Sequence, residues 1–136
     1  MATRSRIGKQ LEDGTVKYIY CHYDGYPEYN GRILKEHYTT EAKIDALLEL
    51  GDLSILGPEI GEKQDFDDQT KQNQDWCLAY GRDRGEDDTA ARIKPRDKYI
   101  NQEAVDYVYL FENGEWNCYE YKGKSIPYWF SRPSEA

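Results

Sequence analysis

Basic residues are the minority charge in this sequence: 18 Lys and Arg stand against 26 Asp and Glu, a formal net charge of −8. Nucleic-acid affinity rests on neutralising phosphates with Lys and Arg, so direct nucleic-acid binding is not expected. Histidine occurs twice and cysteine three times, without the CxxC, HxxxH or EF-hand spacings from which patterned metal sites are built. Asp65, Asp67 and Asp68 alternate superficially like a calcium loop, but the glycine and terminal Glu of that pattern are missing. The GxGxxG and P-loop patterns are also absent, and no cofactor is expected. No apolar run approaches the roughly 18 residues needed to span a bilayer, so no membrane partner is expected. The N-terminal MATRSRIG lacks the apolar stretch of a secretory signal. Cys21, Cys77 and Cys118 are odd in number and widely spaced, which points to a cytoplasmic protein with reduced thiols.

Tyrosine fills the space that other apolar residues leave. The chain has 13 Tyr, 3 Trp and 3 Phe but one Met. Tyrosine brings apolar area with a polar tip and few rotors, which suits half-buried sheet faces and contact surfaces. With 38% hydrophobic and 32% charged residues in 136, the composition predicts one ordered domain, 1–136.

Residues 16–31, VKYIYCHYDGYPEYNG, organise the chain. A strand over 16–21 places Tyr18 and Tyr20 on one face and Ile19 and Cys21 on the other. A loop dense in polar and turn-forming residues follows. Upstream, Asp13-Gly14 between β-type runs signals a hairpin, and Asn113-Gly114 signals another between 105–112 and 115–121. A short helix is expected over 32–38 and a firmer one over 41–50, with Thr39 or Thr40 as N-cap and Gly51 as C-cap. Residues 52–57 read as one turn plugging the core, 58–75 as a long polar loop anchored by Phe66, and 76–80 as a lone strand. A charged loop then runs to Lys94, and a short helix carries Tyr99 and Ile100. The tail, 125–136, holds Ile126, Tyr128, Trp129 and Phe130 and is expected to dock on the domain or a second subunit. These elements predict an α+β fold: a mainly antiparallel sheet of about five strands, with helices mainly on one face.

Three constellations carry chemical potential. Cys21-His22 with Asp24 suggests a nucleophile and base, yet adjacent strand side chains diverge and strand cysteines are usually core residues. Arg82 and Arg84, held between Gly81 and Gly85, suit bidentate contacts to phosphate or carboxylate. Beside His22 and Asp24 they would rim a mixed-charge pocket; the competing reading is an intramolecular Arg–Asp/Glu network that orders loop ends. The acidic clusters at 65–68 and 86–88 either imitate a phosphate backbone or are simply solvated.

The pieces SRIG at 5–8, IYCHYDGYP at 19–27, GRIL at 31–34, HY at 37–38, GDLS at 51–54, AYGRDRGE at 79–86, and YLF and NGEW at 109–116 resemble small accessory proteins encoded by phages and prophages. The resemblance covers about residues 5–121 and brings no reaction with it. It implies phage provenance and action by binding in the host cytoplasm. The expectation is a non-enzymatic protein that inhibits a host defence or regulatory protein through an acidic, tyrosine-rich surface. The expected contact residues are His22, Tyr23, Asp24, Tyr26, Arg82, Asp83, Arg84 and Glu86. Sequestration of a phosphate-bearing small molecule, such as a nucleotide signal, is the alternative. A hydrolase using His22 and Asp24 is the third reading, and a homo-oligomer is compatible with each.

Overall fold

Two tight turns build most of the sheet in the computed structural model, which describes residues 2–127 and 129. The first joins β1 (Ser5–Gln10) to β2 (Thr15–Cys21), antiparallel with Ile7 opposite Ile19. The second joins β6 (Tyr107–Glu112) to β7 (Glu115–Glu120). Its Asn113 and Gly114 take φ of 53° and 78°, the paired positive values of a type I′ turn. β1 then pairs with β6 in parallel, Ile7 beside Tyr109, and fuses the two hairpins. β6 thus lies between two strands, as apolar residues on both of its faces suggest.

The sheet is mainly antiparallel, as expected, but it has seven strands among the described residues, two more than expected, and two parallel pairings make it mixed. Its order is β4 (Leu78–Ala79), β3 (Leu53–Ile55), β2, β1, β6, β7, with β5 (Arg92–Pro95) paired to β2. Residues 52–57 supply the first addition: β3 (Leu53–Ile55) runs parallel to β2 in place of the expected turn. Leu53 and Leu56 are fully buried, and a buried segment must satisfy its backbone polar groups. It does so by accepting from the His22 and Tyr23 amides at 3.0 and 3.1 Å. β5 (Arg92–Pro95), inside the expected charged loop, is the second addition. Asp52 holds it there: its carboxylate accepts two Arg92 hydrogen bonds at 2.9 Å and the Tyr20 amide as well. The lone strand at 76–80 shrinks to β4 (Leu78–Ala79) because Tyr80 begins a helix.

The two sheet faces are covered unequally. On one lie α1 (Arg32–His37) and α2 (Glu41–Leu50), entered through a π-helical turn, Pro27–Gly31. Thr40 caps α2 by accepting from the Lys43 amide, and Gly51 ends it at φ 85°. Ile44, Leu47 and Leu48 of α2 are buried in one core with Ile7, Ile19 and Tyr109, a burial worth about 2 kcal/mol per side chain. The other face is narrower: Val16, Tyr18, Val108 and Leu110 lie under α4 (Arg96–Ile100), whose Tyr99 is fully buried. A Cβ on Gly8 would come within 2.8 Å of the Tyr99 hydroxyl, so glycine admits that ring onto the sheet. The hydroxyl then donates to the Tyr109 carbonyl at 2.7 Å.

Beyond β7 the Ile126 amide donates to the Cys118 carbonyl at 3.0 Å. Trp129 is 4% exposed, meets Tyr109 edge-on at 5.8 Å and lies against Gly31. Tyr128 and Phe130 lie outside the described residues. No helix among the described residues is long and apolar enough to cross a membrane.

Candidate functional site

The loop after β2 is fixed by backbone geometry. Asp24 adopts φ 57° and reverses the chain, so its carbonyl accepts the Asn30 amide at 3.2 Å. The Gly25 carbonyl accepts the Tyr109 hydroxyl at 2.7 Å, which ties the loop to the sheet. At the strand end, Cys21 points into the core and His22 away from it. The Tyr20 hydroxyl lies 2.7 Å from His22 Nδ1, and the Tyr23 ring meets the imidazole edge-on at 4.5 Å. Asp24 accepts a long, 3.4 Å hydrogen bond from the Tyr26 hydroxyl.

Opposite this corner stands α3 (Tyr80–Arg84), which Gly85 closes in the left-handed region at φ 77°. The sequence places Arg82 and Arg84 together, but a helix turns about 100° per residue and separates them. Arg82 faces inward: its guanidinium donates to the carbonyls of Ile60 and Cys77, each at 2.8 Å, and to Asp83. Asp83, buried, also accepts the amides of Gln64 and Ala79 at 2.9 and 2.8 Å. These two residues are the intramolecular network weighed above, and they clamp the 58–75 loop onto α3. Arg84 faces outward, 5.2 Å over the Phe66 ring and 3.4 Å from Glu86.

A cleft of about 380 Å³ opens between the two parts, lined by His22, Tyr23, Phe66, Gln72, Tyr80 and Arg84 among others. The loops after β2 and around α3 therefore do meet at one end of the sheet. His22, Tyr23 and Arg84 come together there, with Glu86 attached through Arg84. Arg82 and Asp83 lie behind the lining, while Asp24 and Tyr26 belong to the adjoining turn. Sequence reasoning missed Tyr80 and the role of Phe66. The latter's signal was its position as a hydrophobic anchor in a polar loop; the Phe66 and Tyr80 rings meet tilted at 35°, their centroids 5.4 Å apart.

The chemistry of these groups favours contact over bond-making. Burial pushes the Cys21 thiol up to about 12, and burial likewise raises Cys77. A thiol so raised is a poor nucleophile at neutral pH. Desolvation also raises Tyr20 and Tyr80, so their hydroxyls stay protonated as hydrogen-bonding groups. Among the described residues no group of three His, Cys, Asp or Glu side chains is placed to hold a metal ion. No family model matches the chain, and neither does any curated protein or solved structure.

Proposed function

We propose that this chain is a phage accessory protein that acts by binding, inhibiting a host defence or regulatory protein through an acidic, tyrosine-bearing face at the cleft. The supporting observation is the Arg82–Asp83 clamp. It fastens the 58–75 loop, with Asp65, Asp67 and Asp68, beside the turn that carries Glu86, Asp87 and Asp88. Two acidic segments distant in the sequence thus share one side, and a clamped loop loses less entropy on binding than a free one. The hydrolase reading draws no comparable support, because the hydrogen bonds of His22 and Asp24 run to separate tyrosines.

Capture of host-lysate proteins on the immobilised chain, at rising salt, tests this reading. Acidic recognition predicts a specific partner whose retention falls as salt rises from about 0.1 M to about 1 M, where screening becomes short-ranged. The triple variant Glu86→Lys, Asp87→Lys, Asp88→Lys should release that partner. Turnover of a substrate, or a phosphate-bearing compound co-purifying with the chain, would overturn the proposal.

A further inference from the structure

The backbone alternation of β2 shows what each of its two edges holds. The Leu11 amide donates to the Thr15 carbonyl, so odd-numbered residues of β2 turn their main-chain groups to β1. The amides of Tyr20 and His22 point the other way, to Asp52 and to the Leu53 carbonyl. Val16 and Tyr18 share that direction, and their partners on β5 are Lys94 and Arg92. Ile93, between those two, therefore aims both its N–H and its C=O away from β2. Neither group has a backbone partner among the described residues. The Ile93 side chain is 59% exposed, so main chain and side chain alike lie open on one strand edge.

The flank of this edge is positive. Lys94 Nζ lies 6.0 Å and the Arg6 guanidinium 5.3 Å from the centre of the Tyr18 ring. Neither cation has a carboxylate within 4 Å among the described residues, and Arg6 Nη1 is buried without a hydrogen-bond partner. The carboxylates around them are engaged elsewhere: Asp52 by Arg92, Glu112 by Arg96 and Glu49 by Lys17. Asp88 meets Arg92 at the start of the strand, through its carbonyl. A second copy of the chain is a poor occupant of this edge. Antiparallel pairing about Ile93 would set Arg92 of each copy opposite Lys94 of the other, and like charges directly opposite are destabilising. A carboxylate facing Lys94 turns that repulsion into attraction.

We infer that the β5 edge takes up an extended acidic segment of a partner protein as an added strand. The segment's main chain bonds the Ile93 N–H and C=O, an apolar side chain lies against Ile93, and a carboxylate one position away meets Lys94. Successive strand residues point to opposite faces, as Ile93 and Lys94 do, so a segment of alternating apolar and acidic residues satisfies both. Pro95, which has no N–H, ends the ladder. This edge is separate from the cleft, and the inference does not rest on what the cleft binds.

The test titrates the isotope-labelled full chain with a short peptide of alternating valine and glutamate, and with its valine–lysine counterpart, following amide shifts and hydrogen exchange by NMR. The acidic peptide should shift residues 91–95 and slow exchange of the Ile93 amide, and the lysine peptide should bind more weakly. Lys94→Glu should weaken acidic-peptide binding about fivefold and strengthen lysine-peptide binding. Lys63→Glu, an equal charge change in the 58–75 loop, should alter both far less. Equal losses from the two reversals, an Ile93 amide whose exchange the acidic peptide leaves unchanged, or no binding of that peptide at all would each overturn the inference. Ile93 exchange that slows with protein concentration alone would assign the edge to a second copy and overturn it as well.

Discussion

Asp83 sits where two separate backbone segments need an acceptor, and its carboxylate serves the amides of both Gln64 and Ala79 while pairing with Arg82. Asp83→Ala strands those amides and the half-buried guanidinium together. Losing one partner of a buried, hydrogen-bonded charge costs about 3 kcal/mol, and urea unfolding should register a drop of that order. The 58–75 loop should also become the first site of limited proteolysis; a variant as stable and as resistant as the parent would remove the clamp from the account. Cys21 makes a second residue-level claim. With its thiol near 12, only about one part in ten thousand is thiolate at pH 8, and the side chain is fully buried. Modification by a thiol reagent should therefore proceed no faster than opening of the native state. Rapid labelling of folded protein would return His22 to consideration as its base.

At the level of elements, legibility follows the length and periodicity of each segment. Both hairpins were readable because Asp-Gly and Asn-Gly favour the positive φ their turns require. α2 was readable because Thr40, Gly51 and three spaced aliphatics agree on its ends and its buried face. β3 was not, since three residues cannot display a period, and its pairing depends on β2 lying alongside. β5 was hidden by its charge; Arg92 and Lys94 read as loop until Asp52, forty positions away, anchors one of them. The different roles of Arg82 and Arg84 were equally hidden, because they follow from α3 being helical rather than from residue type. The tail carries its own prediction. Trp129 packs on Tyr109 and Gly31 with 4% exposure, so Trp129→Ala should lower stability by about 3 kcal/mol in denaturant unfolding. Unchanged stability would mean that the segment contributes nothing to the fold.

For the whole molecule, buried tyrosines and thiols stand among the aliphatic residues of the core, and they set its response to alkali. Burial raises Tyr38, Tyr99 and Tyr109 above their ordinary value of 10.0, and Cys21 from 9.0 to about 12. Tyr38 is further coupled to Cys77, its hydroxyl 3.4 Å from the sulfur and donating to the Gly57 carbonyl at 2.8 Å. In the unfolded chain these groups lose their protons from about pH 9 to 10, whereas in the fold they keep them. Above that range the unfolded state binds fewer protons than the native one, so stability falls with rising pH; below it the full contribution of each group is present. Each such group removes about 1.4 kcal/mol per pH unit once the pH exceeds its unfolded value and until its folded value is reached. The melting temperature should therefore hold steady from neutrality to about pH 8.5 and then decline with increasing slope. Ionisation of the buried tyrosines, followed by ultraviolet absorbance, should coincide with loss of the folded circular dichroism signal. A melting temperature that stays level to about pH 11, with every tyrosine titrating smoothly in the folded state, would show these rings to be open to solvent and the core to be held together by other means.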